Sequence, residues 1–381
     1  MRVAVFTRYP QRTDTPRGGV EAVAVVLIRA LARLDNLEVH VVTLESGRST
    51  TKVTRDGQAT IHRLAGSRWP QILDILVGPG KKRLVRYLKA LKPDVLHTHE
   101  THGLGLGGLP IPHVFTVHGF DDQNLVADSA GLARLRSPLW RIVQRYGLAR
   151  QKSIISIAPY VRRMIEPLTC AEIYDIDNPV DERFFSIARN EEAGRILCVG
   201  WINERKNTLG SVQALARVVE KGVQATLAIA GTPKEQEYYQ RVLTCIRENG
   251  LATRVELLGQ IGHDRLAQEL ARSSVLLLPS RQENSPMAIA EAMAVGVPVI
   301  ASNRCGMPFM VSEGQSGFLV EPDDCDQIAD RLIQLLSNPL LRRQMGEEGR
   351  RIAMTRFHPD AVARQTRAVY ERVCQTGSSH G

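Results

Sequence analysis

The chain has 381 residues, of which 43% are hydrophobic and 23% charged; this is the composition of a folded globular protein and excludes general disorder. No uninterrupted apolar run approaches the roughly 20 residues that a membrane helix needs. The net charge is +9, all of it in residues 1–190, which hold 27 basic and 18 acidic residues against 22 of each in 191–381. This asymmetry favours an anionic partner, either phosphate groups or an acidic lipid surface, while an aromatic content of 5% argues against nucleic acid.

The segment MRVAVFTRYP at the start has neither a long apolar core nor a small-residue cleavage site, so we expect a first strand there and no secretion signal. The six cysteines form no CxxC pair and no Cys/His metal spacing. Scattered cysteines are typical of thiols kept reduced in the cytoplasm. We therefore expect a cytoplasmic protein without a metal site.

Short apolar runs alternate with helical patterns along the whole chain. Strands are predicted at 3–7, 39–44, 60–64, 94–97, 114–117 and 154–157, and again at 196–199, 226–230, 255–258, 275–278, 297–301 and 318–320. Helices are predicted over about 19–34, 211–220, 236–248 and 286–295, and 339–373 is helical without a strand. Continuous Val/Ile/Leu strands separated by helices predict parallel sheets covered on both faces.

The strand–helix pattern restarts near Arg195, after a polar stretch without periodicity. We predict an α/β protein with two Rossmann-like domains facing across a cleft. The expected boundaries are 1–180 for the first domain, 181–194 for a linker, 195–355 for the second domain and 356–381 for a C-terminal helix that packs back toward the first. Ligands of open parallel sheets bind at the carboxyl ends of the strands, so the loops after strands are the candidate sites.

The densest basic run, residues 81–92, predicts an amphipathic helix with its leucines on one face and Lys82, Arg86 and Lys89 on another. It is either a surface helix with a solvated polar face or a helix that touches anionic lipid at the inner face of the plasma membrane. Just upstream, the apolar side chains of SRWPQILDILVG either enter a bilayer interface or belong to the core. Both interpretations stay open.

Gly18 and Gly19 follow the first strand and open a helix, where a bare backbone and free N–H groups can approach an anion. Five of the ten histidines lie within 22 residues: His97, His99, His102, His113 and His118. We expect His97 and His99 to point to opposite faces of their strand, and no HExxH motif is present, so no metal site is predicted. His118 ends a strand and precedes Gly119, which favours hydrogen bonding to a substrate, whereas His113 is expected to be structural.

Arg205 and Lys206 follow the first strand of the second half and precede a helix, as in a phosphate site. Glu283 and Glu291 are eight residues apart. Pro286 suits the first turn of a helix and Gly296 its end, so Glu283 is expected in the preceding loop and Glu291 inside the helix. Carboxylates accept paired hydroxyl groups of sugars, and free N–H groups at 285–288 can hold a phosphate, so this segment favours a nucleotide sugar.

The segment from Glu283 to Glu291 resembles the E-x7-E signature of retaining glycosyltransferases of the GT-B fold, glycosyltransferase family 4. Residues 18–21 resemble the family's N-terminal glycine loop, and 94–99 and 116–119 resemble two of its strand ends. Residues 178–181 resemble its interdomain segment without the usual glycine. The resemblance covers nearly the whole chain in order.

The resemblance implies a role for each matching residue. Three would be catalytic: Glu283 by binding sugar hydroxyls, Lys206 by binding the diphosphate and His118 by hydrogen-bonding the transferred sugar. The donor-binding set would be Gly18, Gly19, Arg205, Lys206, Ser285, Pro286, Met287 and Glu291, the last on the ribose. The family usually has arginine where Trp201 stands, and Arg205 is a candidate substitute; the segment 305–309 also departs from the family pattern.

The resemblance further implies transfer of a hexose from a nucleoside-diphosphate sugar to a glycan or lipid-linked acceptor, in cell-envelope or exopolysaccharide biosynthesis. No metal or cofactor is expected, because fixed cations and helix N-termini can stabilise the leaving diphosphate. The leaving phosphate would take the acceptor's proton on the same face of the sugar, which gives retention. Two alternatives stay open: a degenerate sugar-nucleotide-binding scaffold, favoured by Trp201 and Phe309, and an epimerase or phosphorylase of the same architecture.

Overall fold

The computed structural model describes residues 1–13, 18–45, 48, 50–67, 69, 71–100, 103–119 and 132–378, without the side chains of 71–72, 132–140 and 377–378. The chain divides into two compact units. The first comprises Met1–Pro179 and Pro359–Gly381, and the second comprises Val180–His358. Among the described residues, no helix combines the length and the apolar character needed to cross a membrane.

The first unit contains one eight-stranded sheet. Its strands are β1 (Arg2–Phe6), β2 (Glu38–Glu45), β3 (Lys52–Asp56), β4 (Ala59–Ala65), β5 (Val95–His99), β6 (His113–Val117), β7 (Ser153–Ser156) and β8 (Glu172–Asp175). They are arranged β3-β4-β2-β1-β5-β6-β7-β8, and all neighbours are parallel except β3 and β4. The order reverses between β1 and β5, so the loops after these two strands lie at the topological switch point.

The six strands predicted in this half are confirmed, but β3 and β8 were not predicted. Both lie at the edges of the sheet, and neither contains a buried residue. An edge strand needs no continuous apolar run, because only part of it faces the core. The sequences KVTRD and EIYD therefore carried no strand signal that could be distinguished from a polar loop.

Helices cover both faces of this sheet. They are α1 (Gly19–Ala32), α2 (Gln71–Leu76), α3 (Pro79–Leu91), α4 (Leu132–Ala149), α5 (Pro159–Ile165) and, at the C-terminal end, α13 (Pro359–Ser378). Val3 and Val5 pack in one cluster with α1 and α13, whereas Ala4 and Phe6 pack in another with α2 and α3. On β7, Ile154 packs with α4 and the adjacent Ile155 with the α1 cluster. Because side chains alternate along a strand, α2, α3 and α4 share one face of the sheet.

The second unit contains a six-stranded parallel sheet. Its strands are β9 (Arg195–Val199), β10 (Thr226–Ala230), β11 (Val255–Gly259), β12 (Val275–Leu278), β13 (Val299–Ser302) and β14 (Gly317–Val320), arranged β11-β10-β9-β12-β13-β14. All six predicted strands are confirmed. This is the Rossmann order, and it reverses between β9 and β12, so the loops after these strands flank the switch point.

Seven helices with described bounds belong to the second unit: α6 (Glu182–Ser186), α7 (Thr208–Glu220), α8 (Gln236–Glu248), α9 (His263–Arg272), α10 (Met287–Val295), α11 (Cys325–Leu336) and α12 (Pro339–Arg356). Every residue of α10 from Ala288 to Val295 is buried. Its alanine-rich sequence permits this, since a helix that is apolar nearly all round is stable only inside a core. Gly296 ends α10 in the left-handed conformation at φ 85°, as predicted.

The structure differs from the linker expected at 181–194. Asp181 caps α6 by accepting a hydrogen bond from the Arg183 N–H, and Phe184 and Phe185 are buried in the core of the second unit. The Val180 N–H donates to the Phe357 carbonyl at 2.9 Å. Two phenylalanines give this short segment enough apolar surface to fold onto its neighbours, although it is too short to show a helical period.

Candidate active site

The loop between β9 and α7 presents two cations at the switch point of the second unit. Gly200 has a φ of 135°, and a Cβ there would meet the Cε of Lys206 at 2.7 Å. Glycine is therefore required both by the backbone and by the path of the Lys206 side chain. The Asn203 side chain accepts from the Lys206 N–H at 3.0 Å, and Asn207 caps α7 by accepting from the Gly210 N–H. These contacts fix the backbone from which Lys206 projects.

The loop between β12 and α10 places a carboxylate directly against these cations. Oε1 of Glu283 lies 2.7 Å from Lys206 Nζ and 3.0 Å from Arg205 Nη1. The three side chains are 11–17% exposed, so the cluster is accessible from solvent but largely shielded. Arg205 also donates to the Gln282 carbonyl, and the Arg281 N–H donates to the Arg205 carbonyl at 2.8 Å. With two cations and one anion, the cluster carries a net positive charge suited to an anionic ligand.

A third loop supports Glu283 from behind. The Gly306 N–H donates to the Glu283 carbonyl at 2.8 Å, and a Cβ at Gly306 would meet the Asn284 carbonyl oxygen at 1.6 Å. Cys305, one residue earlier, has a φ of 56°. Close backbone approach at Gly306 therefore holds the Glu283 loop in place, and only glycine fits there. Sequence reasoning noted this segment only as a departure from the family pattern.

The N-terminus of α10 follows Glu283 after three residues. The predicted start at Pro286 is one residue early: Pro286 is the N-cap, buried and in an extended conformation, and Met287 is the first helical residue. Proline has no N–H, so the backbone donors that lack an intrahelical acceptor begin at Met287 and Ala288. Ser285 contacts the sulfur of Met310 at 3.9 Å. The predicted set of backbone N–H donors at residues 285–288 therefore lacks one member, because Pro286 has no N–H.

Glu291 lies in the middle of α10 and is buried. Burial, and secondarily the negative charge of Asp181, raises the pKa of Glu291 to about 7. A buried carboxyl of this kind is partly protonated near neutral pH and can either donate or accept a hydrogen bond. Glu283, by contrast, lies directly against two cations.

In the first unit, Gly18 is the N-cap of α1 and Gly19 its first residue. Gly18 has extended backbone at φ −168°, and a Cβ at either position would meet no heavy atom within 4 Å. The local backbone therefore does not require glycine. The pair leaves open space at a helix N-terminus, which is what close approach of a ligand needs; residues 14–17 lie outside the described part of the chain.

His118 follows β6 and is buried against the rest of the histidine group. Its Nε2 lies 2.9 Å from His99 Nδ1, and it also hydrogen-bonds to Asn178. Burial lowers the pKa of His118 to about 4, so its imidazole is neutral near pH 7. His102, by contrast, lies outside the described residues.

The other histidines extend this network inside the sheet. His97 contacts Tyr370 Oη of α13 at 2.6 Å and Thr116 Oγ1 at 2.7 Å, and His113 contacts Thr98 Oγ1 at 2.8 Å. The expectation that His97 and His99 point to opposite faces was wrong, because residues two apart on a strand share a face. Their ring centroids are 4.4 Å apart. Among the described residues, no group of three or more His, Cys, Asp or Glu side chains is arranged to hold a metal ion.

Comparison with known proteins assigns the two units to one family. The model of Glycosyltransferase Family 4 matches residues 17–184, and that of Glycosyl transferases group 1 matches residues 179–352. The chain belongs to glycosyltransferase family 4. The phosphatidyl-myo-inositol mannosyltransferase of Mycobacterium leprae is 28% identical to this glycosyltransferase over 308 residues, which cover 78% of each protein.

Solved structures show the fold of this glycosyltransferase. Sucrose-phosphate synthase from Thermosynechococcus elongatus superposes with a TM-score of 0.77 at 21% identity, covering 98% of this chain and 99% of that one. The Anabaena protein HepE, solved in complex with UDP-glucose, superposes with a TM-score of 0.70 at 16% identity over 100% of both chains. The fold is GT-B, and the predicted α/β class with two Rossmann-like domains is confirmed.

The structure of this glycosyltransferase thus brings Arg205, Lys206 and Glu283 into contact within the second unit. Ser285, Pro286 and Met287 follow Glu283 directly, and Glu291 lies deeper in α10. Gly18, Gly19 and His118 belong to the first unit. Sequence reasoning missed the supporting roles of Asn203, Asn207 and Gly306. For the loop between β9 and α7, the available signal of a constrained backbone was Gly200, directly after β9.

Proposed function

We propose that this chain is a retaining hexosyltransferase that takes its sugar from a nucleoside-diphosphate donor and needs no metal. Its acceptor is a glycan or a lipid-linked saccharide of the cell envelope or an exopolysaccharide. The donor class is supported by HepE, which was solved with UDP-glucose, and a lipid acceptor by the relative named for transfer to phosphatidyl-myo-inositol. The fold alone determines neither the donor nor the acceptor, so both are tested below.

The observation that carries the proposal is the shared contact of Arg205 and Lys206 with Glu283 Oε1 at the switch point. A diphosphate placed at the α10 N-terminus would compete for both cations. Glu283 would then be free to accept hydrogen bonds from sugar hydroxyls, which a carboxylate does in pairs. Before the donor binds, the two ion pairs therefore hold these side chains in position for the ligand.

Transfer would proceed by breaking the bond between the anomeric carbon and the donor phosphate oxygen. Lys206, Arg205 and the N–H groups of Met287 and Ala288 would stabilise the negative charge that develops on the leaving diphosphate. The acceptor oxygen forms the new bond to the same face of the anomeric carbon, and its proton passes to the leaving phosphate oxygen. No covalent enzyme intermediate is needed, since Glu283 is committed to binding.

We assign the first unit two roles in this reaction. Gly18 and Gly19 would allow the donor phosphate and the acceptor to approach the backbone. His118 would exchange one of its present partners, His99 or Asn178, for a hydroxyl of the transferred sugar. It would do so as a neutral imidazole, since burial lowers its pKa to about 4. It would therefore orient the sugar without supplying a proton.

The direct test measures release of nucleoside diphosphate from UDP-, GDP-, ADP- and TDP-linked hexoses in the presence of glycan or lipid acceptors. Glu283→Gln and Lys206→Met are expected to lower the rate by about 10²- to 10³-fold, the loss typical of removing one preorganised charge contact. The matched controls are Asp330→Asn and Lys221→Met, which remove an exposed ion pair elsewhere in the second unit. Thermal unfolding checks that all four variants are folded. Wild-type rates in both site variants would contradict the proposal.

The second candidate function is a degenerate scaffold that binds a sugar nucleotide without transferring it. It is favoured by Trp201, which is 47% exposed where the family usually has arginine. Donor binding by calorimetry without release of nucleoside diphosphate under any acceptor condition would support this candidate. Appearance of an isomerised donor, or of a sugar phosphate, would instead indicate an epimerase or a phosphorylase.

A further inference from the structure

The outer surface of α2, α3 and α4 combines exposed apolar side chains with a field of cations. We call it the α2–α4 face; its described members are Trp69, Leu73, Val77, Lys81, Lys82, Arg86, Lys89, Ile142, Arg145 and Tyr146. All three helices cover the same side of the first unit's sheet. None of the residues proposed above to take part in glycosyl transfer lies on these three helices.

Large apolar side chains are unusually concentrated on this face. Val77, Ile142 and Tyr146 are 63–69% exposed, and Trp69 and Leu73 are about half exposed. These five are half of the ten large hydrophobic side chains that are exposed in the described part of the chain. Single exposed apolar residues are ordinary, whereas a group on neighbouring helices marks an interaction surface.

Interior packing joins the three helices into one surface. Leu76 of α2 packs in the same cluster as Val143 and Leu148 of α4. Lys81 Nζ at the start of α3 donates to the Leu76 carbonyl at 3.1 Å. A groove of about 680 Å³ lies between the end of α2 and α3, with Val77 and Val85 among its apolar walls and Lys82 and Arg86 among its cations.

The charge of this face is of one sign. The sequences of α3 and α4 contain nine basic residues and no Asp or Glu. Asp74 of α2 is buried and accepts hydrogen bonds from the Ser67 and Gly80 N–H groups, so it does not offset the surface charge. Helix α12 of the second unit, in contrast, pairs Arg343 with Glu347 and Arg351 with Glu348.

We propose that the α2–α4 face docks onto the surface of an anionic lipid bilayer. Val77, Ile142 and Tyr146 would enter the headgroup–acyl boundary, while lysine and arginine side chains reach the lipid phosphates. A second copy of the chain is a poorer occupant, because two such faces would bring like charges together. The surface also explains why the excess charge of the sequence is confined to its first half.

The test is co-sedimentation of the full chain with vesicles of phosphatidylcholine alone or mixed with phosphatidylglycerol. Binding is expected only with phosphatidylglycerol, and it should weaken as salt is raised, because exposed charges are screened beyond about 10 Å at 0.1 M salt. Absence of binding to the anionic vesicles at low salt would overturn the proposal. So would equal binding to both vesicle types.

Two variants separate the charged and the apolar contributions. Lys82→Gln/Arg86→Gln/Lys89→Gln is expected to lower the partition coefficient about 100-fold, at about fivefold for each cation near the membrane. Its control, Lys221→Gln/Arg343→Gln/Arg351→Gln, removes the same charge from exposed positions of the second unit and should bind like the wild type. An equal loss in both triple variants would show that only net charge matters and would overturn the proposal.

The apolar variant is Val77→Ser/Ile142→Ser, with Val53→Ser/Leu340→Ser as an exposure-matched control. The first should reduce vesicle binding about tenfold and the second should leave it unchanged, since each buried CH₂ contributes about 0.8 kcal/mol. Light scattering of the same samples identifies self-association: a dimer abolished by Val77→Ser/Ile142→Ser would assign the face to a second copy instead. Both readouts are independent of glycosyl transfer.

Discussion

Both units place loops at a topological switch point, yet they treat polar side chains in opposite ways. In the second unit, Arg205 and Lys206 form ion pairs with Glu283 on loops that remain partly open to solvent. In the first, His97 and His118 are buried and are held by Tyr370 and His99, respectively. One arrangement keeps charge available to a ligand, whereas the other is stable only while its groups stay uncharged.

The largest consequence is the acid sensitivity of the histidine network. Burial lowers the pKa of His97 to about 3 and those of His113 and His118 to about 4. Between the unfolded value near 6.5 and these folded values, the unfolded chain binds more protons, so stability is complete above about pH 6.5 and is lost as pH falls. At pH 5 the free energy of unfolding should be lower by about 2 kcal/mol for each of the three.

Urea unfolding at pH 7.5 and pH 5 measures this loss. His113→Gln is the control, because it removes one titrating group and should reduce the pH slope by about a third. A free energy of unfolding that is unchanged between the two pH values would show that the network tolerates protonation, and the contrast between the units would disappear.

The next effect has the opposite sign and belongs to the second unit. The pKa of Glu291 is raised to about 7, so the folded chain binds the extra proton between about pH 4.5 and 7. The stability that this proton adds is therefore fully present below about pH 4.5, the pKa in the unfolded chain, and it is lost as pH rises through 7. Glu291→Gln should stabilise the protein by about 3 kcal/mol at pH 8 and change little at pH 4.5. Urea titrations of both proteins at the two pH values measure this difference. Equal stability of the two proteins at pH 8 would exclude a raised pKa for Glu291.

A smaller loss is expected where α13 joins the histidine network. Tyr370→Phe removes the hydroxyl that lies 2.6 Å from His97 Nδ1 and leaves a buried ring nitrogen without that partner. The free energy of unfolding should fall by about 2 kcal/mol. Tyr146→Phe removes an exposed hydroxyl bonded to Arg150 and should change it by no more than about 0.5 kcal/mol. If the two variants have the same free energy of unfolding, the hydrogen bond between Tyr370 and His97 adds no more stability than an exposed one.

The smallest effect is expected at Trp201. Trp201→Arg adds a third cation near the site and should tighten nucleoside-diphosphate binding severalfold without changing thermal stability, because the position is exposed. Trp201→Gln is the neutral control. Weaker binding in both variants would mean that the indole itself contacts the ligand.

The strands and the Glu283 loop could be predicted because each depends on local sequence. Buried parallel strands need continuous apolar runs, and Gly296 fixes the end of α10 through a backbone conformation that glycine favours. The repeated strand–helix pattern also predicted parallel sheets, which the structure has in both units apart from the antiparallel pair β3 and β4. These features are set by neighbours in the chain.

What could not be predicted depends on partners distant in sequence. The contact of His97 with Tyr370 joins residues 273 positions apart, and that of Arg205 with Glu283 joins residues 78 apart. The exposure of Ile142 and Tyr146 likewise depends on which face of α4 the sheet covers. Polar edge strands such as β3 carry too little apolar signal to be recognised before their neighbours are known.

The most direct test of the second unit's role is calorimetric titration of the wild type, Lys206→Met and Lys221→Met with UDP, GDP and ADP. One nucleoside diphosphate should bind the wild type and Lys221→Met with equal affinity. Its binding to Lys206→Met should weaken by about 10- to 100-fold, since a charge-assisted phosphate contact contributes about 1.5–3 kcal/mol. Equal affinity in Lys206→Met would contradict the assignment of the Arg205–Lys206–Glu283 cluster to the donor diphosphate.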